Sequence, residues 1–259
     1  MMNNNTQRPI FLVGCPSSGT TLIQSIIDAH PNLSCGQETD FLVEHQKIVS
    51  GRYWNKLKFY NSDQEYWHQK IADFFSSFKM DFAQKHGKQR WVDKTPSYTP
   101  HLDFIYKLFP DCQIIHTIRD GRDVVKSHRN RWGYKSAVKA TYIWQQYIKS
   151  AREFGKTLPA DQYMEIRYEE MVKQPENNAK LIFEYLQEPW VPQVLQYNET
   201  SSHNKDSSYA EYTKKRREQS QDKSLIYRSQ VGKGKNLDPF LKSLLYFQSN
   251  RLLKELGYL

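Results

Sequence analysis

Cysteine is scarce in this chain, which has three among its 259 residues: Cys15, Cys35 and Cys112. An odd number with no C-x-x-C pair argues against a disulfide framework and against a cysteine-based zinc site. Unpaired thiols of this kind are typical of proteins that work in a reducing compartment. We therefore expect a cytoplasmic protein without a disulfide scaffold.

Long apolar runs are missing as well. No stretch approaches the roughly 18 apolar residues of a membrane-spanning helix, and the N-terminal MMNNNTQRP lacks the apolar centre of a secretion signal. We expect a soluble chain with no membrane span. Because 38% of the residues are nevertheless hydrophobic, the chain has enough apolar side chains for a globular core.

Acidic residues are outnumbered by basic ones, 28 to 37, which gives a formal net charge of +9 and a pI near 9.2. This excess favours an anionic partner, whether a nucleotide, a sulfated or phosphorylated small molecule, a nucleic acid or a membrane surface. A basic surface that only maintains solubility has the same composition. Charge therefore leaves the partner open.

Strand and helix patterns alternate along the first two thirds of the chain. The runs PIFLV and CQIIHTIRD predict buried strands, and QYMEIRYEEM predicts a third strand that runs into a turn. Helical patterns occur in TTLIQSIIDAH, SAVKATYIWQQYIKSAREF and ENNAKLIFEYL. Such alternation predicts an α/β fold with a central parallel sheet flanked by helices.

The remaining segments show no domain boundary, so we expect one domain over residues 1–259. Residues 46–90 are aromatic and charged without a strict period, and we interpret them as mostly helical and packed on one side of the sheet. The polar stretch 199–222 predicts a flexible loop or lid, with a solvated loop of no catalytic consequence as the alternative. Helical periodicity returns after Pro239.

The segment GCPSSGTTL fits the phosphate-loop pattern G-x-x-x-x-G-K-[ST] at every fixed position but one, because Thr20 replaces the lysine. A strand, a glycine turn and a helix N-terminus present free backbone N–H groups to an anion. Without the lysine, triphosphate chemistry is disfavoured, whereas a terminal 5′-phosphate fits. An ordinary strand-to-helix turn remains the alternative. The residues that form the cradle are Ser17, Ser18, Gly19, Thr20 and Thr21.

A second candidate anion site lies in IIHTIRDGRDVVKSHRNRW, residues 114–132. Arg119 closes a buried strand, and Ser127 and Arg131 follow near the start and along one side of the next helix, where they can clamp a phosphate. The alternative is that Arg119 pairs with Asp120 or Asp123 and that Arg131 is solvated. Two anion sites at two strand ends predict a ligand with phosphates at both ends.

Together these motifs resemble those of sulfotransferases that use 3′-phosphoadenosine 5′-phosphosulfate (PAPS). CPSSGTTL resembles the family's 5′-phosphosulfate loop and RDGRDVVKS its 3′-phosphate motif. LIQSIIDAHPNLSCGQET, VDKTPSY, RYEEMV and RSQVGKGKNLD are similar to segments of the tyrosylprotein sulfotransferases and their soluble bacterial relatives. The resemblance implies a P-loop-type three-layer fold, PAPS as donor, 3′-phosphoadenosine 5′-phosphate (PAP) as product, and no metal.

The resemblance also implies roles for individual residues. Glu38 is the general base, with a surface carboxylate or a helix cap as the alternative. Lys94 places its ammonium on the bridging oxygen, unless it pairs with Asp93 in a loop. Tyr168 contacts the adenine, unless it is a core tyrosine. The 3′-phosphate is bound by Arg119, Ser127 and Arg131. A basic C-terminal loop supplies further contacts to the nucleotide, from Ser229, Lys233 and Lys235.

The chain departs from the family pattern at Ser17, where members usually carry Lys or Arg. The departure removes a cation from the transferring group. Lys94, Arg119 or a residue of the lid then has to compensate, or the enzyme is slow.

Two other functions remain open at this point. A P-loop small-molecule kinase is disfavoured by the missing lysine and by the lack of a strand-end aspartate for magnesium. A nucleic-acid-binding module is suggested by KKRRE at 214–218, although such runs are usually solvated. If the chain is a sulfotransferase, its acceptor is a hydroxyl on a small molecule, sugar, lipid or peptide tyrosine. The aromatic stretch 52–60 is either part of an acceptor cleft or core.

Overall fold

The computed structural model describes residues 8–51, 53–197 and 230–259. Ser229 and the predicted lid at 199–222 lie outside these ranges, and so does the basic run at 214–218. Within them, five parallel strands form one sheet in the order β2-β3-β1-β4-β5. The strands are β1 (Ile10–Gly14), β2 (Leu33–Cys35), β3 (Arg90–Lys94), β4 (Gln113–Ile118) and β5 (Tyr163–Arg167). The predicted parallel α/β class is confirmed.

The described α-helices connect these strands and cover the sheet. They are α1 (Thr20–Asp28), α2 (Phe41–Ser50), α3 (Trp54–Leu57), α4 (Gln64–Lys85), α5 (Leu102–Leu108), α6 (Gly121–Gly155), α7 (Tyr168–Lys173), α8 (Pro175–Leu186) and α9 (Pro239–Glu255). Short 3₁₀ turns occur at Pro96–His101, Pro192–Gln196 and Lys233–Asn236. Residues 46–90 are mostly helical, as their composition predicted.

The central strand β1 divides the core into two halves. Ile10 and Leu12 pack with α1, α7 and α8 on one face of the sheet, whereas Phe11 and Val13 pack with α2, α4 and α5 on the other. Helices on both faces bury these strands completely, which is why PIFLV is a continuous apolar run rather than an alternating one. The result is a layer of helices, a sheet and a second layer of helices.

The order of the strands in the sheet determines where a ligand site is expected. After β1 the chain crosses to β2 on one side of the sheet, and after β4 it crosses to β5 on the other. Because β1 and β4 are neighbours, the connection direction reverses between their carboxyl ends. Ligands of open parallel sheets bind at such a point. The two predicted anion motifs directly follow these two strands.

Two strands were not predicted. Leu33–Cys35 spans three residues, and Arg90–Lys94 carries charges at both ends and at Asp93, although it is buried throughout. Lys79 of α4 lies 2.5 Å from Asp93, and Arg90 pairs with Glu188 at 3.3 Å. Because partners from other segments neutralise these charges, the strand is buried although its sequence is charged.

Helix α6 is longer than the predicted 136–154 pattern because it begins directly after the β4 loop and continues through a kink at Gly133. Gly133 has a φ of 82°, which interrupts regular helix geometry. The part before the kink carries Ser127 and Arg131, and the part after it packs against α9. Within the described ranges, no helix combines the length and the apolar character needed to cross a bilayer.

Candidate functional site

The glycine loop, residues 14–21, joins β1 to α1. Gly19 has a φ of 100°, and a Cβ there would lie 2.2 Å from the ring of Tyr168, so the loop needs glycine at this position. Gly19 also precedes α1, which has no side-chain cap and no acidic residue in its first turn. The first N–H groups of α1, beginning at Thr20 and Thr21, are therefore directed at the site without a competing carboxylate.

Two hydroxyls of the glycine loop are buried without a hydrogen-bond partner among the described residues: the Oγ atoms of Ser17 and Ser18. Buried polar atoms are normally paired, so these two point to a missing ligand. Ser17 also has a φ of 73°, which is uncommon for a residue with a side chain. Orphaned hydroxyls beside an uncapped helix N-terminus fit a phosphate or sulfate group.

Arg119, directly after β4, links the glycine loop to the C-terminal part of the chain. Its Nη1 donates to the Ser17 carbonyl at 3.0 Å, and its Nη2 donates to the Gln230 carbonyl at 2.6 Å. The side chain is buried, and its Nε has no partner within the described ranges. A guanidinium in this position has a donor left for an anion and touches both loops that would surround it.

The predicted alternative pairing of Arg119 is present in one of its two forms. Asp123 lies 3.7 Å from the Arg119 guanidinium, whereas Asp120 pairs with Arg122 at 2.6 Å. The contact with Asp123 is longer than a hydrogen bond, because both Asp123 oxygens accept backbone N–H groups instead: Gly232 donates at 2.9 Å and Gly234 at 2.5 Å. Phosphate binding by Arg119 stays a prediction.

Those two glycines belong to the basic loop, residues 230–236, which therefore lies against the N-terminus of α6. A Cβ at Gly234 would come within 2.3 Å of the Arg122 backbone, so the contact is close. Lys233 and Lys235 flank Gly234 and are both exposed. The structure thus brings the basic loop to Arg119, and the nucleotide contacts of its lysines stay a prediction, as does that of Ser229 outside the described ranges.

Along α6, Ser127 is half-buried and Arg131 is exposed one helical turn later. The Arg131 guanidinium lies 5.8 Å from the centre of the Trp132 ring. The two residues share one face of the helix, as the sequence predicted. Their binding of a 3′-phosphate remains untested.

Tyr168 begins α7 and is almost fully buried. The Arg119 guanidinium lies 4.4 Å from the centre of its ring, and Gly19 packs against the ring edge. The tyrosine therefore contacts both predicted anion motifs. This position is compatible with the core alternative as well as with an adenine contact, which stays a prediction.

His128, one residue after Ser127, is a contact to the glycine loop that sequence reasoning missed. Its Nε2 donates to the Pro16 carbonyl at 3.2 Å, so its Nδ1 is left to accept from the Ser136 hydroxyl at 3.0 Å. Burial lowers the pKa of His128, which favours this neutral form. Its signal in the sequence was only its place on the predicted helix.

The structure places Glu38 and Lys94, the two residues predicted to be catalytic, next to each other. Glu38 lies in the Glu38 loop, residues 36–40, and its carboxylate forms a short ion pair with the ammonium of Lys94 at the end of β3. Lys94 is nearly buried, whereas about half of the Glu38 side chain (46%) is exposed. Lys94 pairs with Glu38 rather than with Asp93, and β3 ends at it, so the predicted alternative of a loop pair with Asp93 is not what the structure shows.

The turn after β3 connects this pair to the glycine loop. Thr99 accepts the backbone N–H of Gly14 at 2.9 Å and is fully buried. Tyr98, also fully buried, bonds to Thr39 and Leu42 around the Glu38 loop. Both residues lie within or beside the quoted VDKTPSY segment, but nothing in its pattern showed which side chains reach the two loops.

In the part of the chain that the structure describes, no group of three or more His, Cys, Asp or Glu side chains is arranged to hold an ion. Arg119, the lysines of the basic loop and the uncapped N-terminus of α1 bring positive charge to the two anion motifs. Asp120 and Asp123 at the start of α6 are already engaged, by Arg122 and by the basic loop. The positive groups suit a phosphorylated or sulfated ligand.

Comparisons with known proteins show which family the chain resembles. Over 211 residues the chain is 29% identical to the protein-tyrosine sulfotransferase of Drosophila melanogaster, which covers 75% of this chain and 41% of that protein. The chain thus spans less than half the length of this relative. Solved structures share the fold, among them the following two. The sulfotransferase domain of the Synechococcus PCC 7002 olefin synthase has a TM-score of 0.67 at 21% identity, covering 93% of this chain and 94% of that one.

The second structure is mouse sulfotransferase SULT7A1 complexed with PAP, with a TM-score of 0.50 at 16% identity, covering 96% of this chain and 88% of that one. At such identities the structures show the fold alone. A model of the sulfotransferase family matches residues 9–192, which include the glycine loop, Glu38, Lys94 and the Arg119 motif. The chain therefore belongs to the sulfotransferase family.

Proposed function

We propose that this protein transfers a sulfuryl group from PAPS to a hydroxyl acceptor by in-line displacement and releases PAP. The observation that carries the proposal is the convergence of two anion motifs on Arg119, with the buried, unpartnered hydroxyls of Ser17 and Ser18 beside it. Glu38 and Lys94 supply an adjacent base and cation. Membership of the sulfotransferase family supports the same reaction.

The donor-binding residues fall into two groups under this proposal. The glycine loop and the N-terminus of α1 hold the 5′ end, through Ser17, Ser18, Gly19, Thr20 and Thr21. The 3′-phosphate is held by Arg119, Ser127 and Arg131, and Tyr168 contacts the adenine. Lys233 and Lys235 of the basic loop complete the nucleotide contacts, together with Ser229, which lies outside the described residues. Both groups meet at Arg119, because its guanidinium already touches the glycine loop and the basic loop.

Bound PAPS supplies an activated sulfuryl group and a phosphate leaving group. Glu38 takes the proton of the acceptor hydroxyl as that oxygen attacks. Lys94 donates a hydrogen bond to the bridging oxygen, where negative charge develops. Lys94 and Glu38 form an ion pair, so Lys94 has to turn from Glu38 toward the donor before Glu38 can act as a base.

Serine in place of the usual basic residue at position 17 leaves the transferring group with fewer cations. We propose that Lys94 provides the main compensation, since it is nearly buried, and a charge acts more strongly in a site from which water is excluded. Arg119 contributes through the Ser17 carbonyl, which it holds in place.

The acceptor carries a hydroxyl, and tyrosine is one candidate because the Drosophila relative is a protein-tyrosine sulfotransferase. Small molecules, sugars and lipids are the others. In the described part of the stretch 52–60, Phe59 and Tyr60 are exposed, so these aromatic side chains are not core. They are available to an acceptor, although no contact of theirs reaches Glu38.

A small-molecule kinase is the less favoured function, since the family model and the missing loop lysine both point away from triphosphate chemistry. We further propose metal-independent transfer, which the arginines and lysines of the site support. Location in the cytoplasm is likewise a proposal. It rests on Cys15, Cys35 and Cys112, which are free and buried thiols.

Calorimetric titration with PAP tests the donor site. We expect metal-independent binding that adenosine 5′-phosphosulfate, which lacks the 3′-phosphate, does not match. Arg119→Ala should weaken PAP binding at least about 10-fold, because it removes charge-assisted hydrogen bonds. Arg251→Ala on α9, where the arginine is almost fully exposed, is the matched control and should bind normally. Binding of ATP that requires magnesium would support the kinase instead.

A further inference from the structure

The Glu38 loop has little contact of its own with the core. Residues 37–40 are all exposed, and Asp40 adopts a φ of 52°, which is unfavourable for a residue with a side chain. A loop of this kind samples many conformations unless other residues hold it, and ordering it costs conformational entropy. The position of the proposed base therefore depends on what ties this loop down.

Before Glu38, the Gln24 side chain of α1 donates to the Gly36 carbonyl at 2.9 Å. After Glu38, the ties come from one short segment, residues 95–98, directly after Lys94. The Tyr98 hydroxyl accepts the backbone N–H of Leu42 at 3.1 Å and lies 3.0 Å from the Thr39 hydroxyl. Thr95 accepts the Thr39 N–H at 3.5 Å. A short hydrogen bond from Ser97 to Asp40 completes the set. The segment that follows Lys94 thus holds the chain on the C-terminal side of Glu38.

Tyr98 is the strongest of these ties because it is anchored. Its side chain is fully buried, and its ring lies 6.4 Å from the ring of Phe11 in the central strand β1. Its hydroxyl also satisfies an N–H in the first turn of α2, which has no side-chain cap. One oxygen atom therefore fixes the start of α2 and the loop before it to the core of the sheet.

We propose that Tyr98 is a positioning residue for the reaction: its hydroxyl holds the Glu38 carboxylate at Lys94 and at the acceptor oxygen. This inference rests on the proposed sulfuryl transfer. It separates two tasks within one turn, because Thr99 holds Gly14 of the glycine loop and Tyr98 holds the base. Loss of the Tyr98 hydroxyl should therefore affect the chemical step and leave donor binding intact.

Tyr98→Phe is the test, since it removes the hydroxyl and keeps the ring in the core. With PAPS as donor and p-nitrophenol as probe acceptor, we expect kcat to fall about 10- to 100-fold, the loss that a small misplacement of a reacting group causes. The KM for PAPS and the affinity for PAP should change less than about twofold. A Tyr98→Phe variant that retains the full kcat overturns the proposal.

Tyr185→Phe is the matched control. The Tyr185 hydroxyl also makes two hydrogen bonds to backbone, at 3.2 Å and 3.1 Å to Ile114, but it lies on α8 on the other face of the sheet. Both variants should lose similar stability, since each loses two hydrogen bonds that are buried or partly buried. Only Tyr98→Phe should lose kcat. An equal loss of kcat in both variants would overturn a specific positioning role.

A double-mutant cycle shows whether Tyr98 acts through Glu38. In a Glu38→Gln background, Tyr98→Phe should have little further effect on kcat, because the base it positions is already absent. Fully additive effects would assign Tyr98 to general stability and overturn the proposal.

Hydrogen exchange in the donor-free protein gives a readout that does not depend on activity. The exchange rate of the Leu42 amide should rise in Tyr98→Phe and stay the same in Tyr185→Phe, because only Tyr98→Phe leaves that N–H unpaired. An unchanged Leu42 amide overturns the tie itself. If the wild type binds no PAP and transfers no sulfuryl group, both the proposed function and the positioning role of Tyr98 in that reaction fail. The exchange rate of the Leu42 amide still shows whether Tyr98 holds the start of α2.

Discussion

At the scale of single residues, the site depends on two glycines at which an added side chain would collide with neighbouring atoms. Gly19 faces the ring of Tyr168, and the ring in turn faces the guanidinium of Arg119. Gly14 gives its N–H to Thr99. Each of these contacts joins the glycine loop to a buried side chain. The loop is therefore held in a fixed position relative to the sheet.

Gly19→Ala should disrupt the loop. The new Cβ would lie 2.2 Å from the Tyr168 ring, so the ring or the loop must move, and PAP affinity should fall more than about 10-fold as cradle geometry is lost. Gly87→Ala is the control, since Gly87 also has a positive φ but has no atom near its would-be Cβ. It should cost about 1–2 kcal/mol of stability and leave PAP titration unchanged. Equal PAP affinities in the two variants would contradict this account of Gly19.

Thr99→Val should weaken donor binding through the backbone. The substitution leaves the buried N–H of Gly14 without its acceptor, at a cost of about 1–3 kcal/mol in the free energy of unfolding. We expect a lower Tm and a higher Kd for PAP. Thr141→Val in α6 provides the comparison, because Thr141 is equally buried but its hydroxyl only donates to the Val138 carbonyl. A Thr99→Val protein that binds PAP like the wild type would disprove this link.

At the scale of elements, strand β3 is the least expected part of the fold and the one that delivers Lys94. Its Asp93 carboxylate is buried against the Lys79 ammonium of α4 at 2.5 Å, and both side chains are almost inaccessible. The two Asp93 oxygens form no hydrogen bond of good geometry with described residues. The ion pair is thus the compensation for a buried charge, and it fixes α4 to the sheet beside the site.

Lys79→Met should therefore destabilise the protein strongly. Removing one partner of a buried pair leaves an uncompensated carboxylate, which costs about 3–5 kcal/mol. Lys180→Met removes an exposed pair with Glu176 and should cost less than about 1 kcal/mol. Urea unfolding of both variants measures the difference. Lys79→Met/Asp93→Leu should recover much of the loss, and equal stabilities of the two single variants would contradict the role of the pair.

At the scale of the whole molecule, the sheet contains a histidine that has to stay neutral. His116 in β4 is fully buried, and burial, together with the nearby Arg152 charge, lowers its pKa to about 3. A base with a depressed pKa in the folded state contributes stability that is complete above its unfolded pKa and is lost as pH falls below it. The relevant window runs from 6.5 down to about 3.

The resulting acid sensitivity can be measured. Between pH 6.5 and about pH 5, His116 should remove about 2 kcal/mol from the free energy of unfolding, at about 1.4 kcal/mol per pH unit. His116→Gln should lack this part of the pH dependence. His30 and His128, whose pKa values burial also lowers, remain in both proteins, so the difference isolates His116. If the free energy of unfolding changed with pH in the same way in both proteins, His116 would not be the cause of the acid sensitivity.

The sequence by itself determined the α/β class, the central apolar strands and the two anion motifs. Those features are local: PIFLV and CQIIHTIRD are apolar because both faces of their strands are buried, and the glycine loop follows the first of them directly. Glu38, Lys94 and Arg119 were selected by their motifs, and the structure places Glu38 beside Lys94 and joins Arg119 to the glycine loop. Their proposed roles in binding and catalysis stay predictions.

Only the tertiary structure decided how the site is held together. β3 escaped prediction because its buried charges are neutralised by Lys79 and Glu188, which are distant in sequence. The ties from Tyr98 and Thr99 to loops 56 and 85 residues away follow from strand order, since β3 lies beside β1 and its C-terminal turn reaches the loops that follow β1 and β2. A local pattern specifies which face of an element is buried, but the partners of a polar side chain are set by the elements that the fold brings next to it.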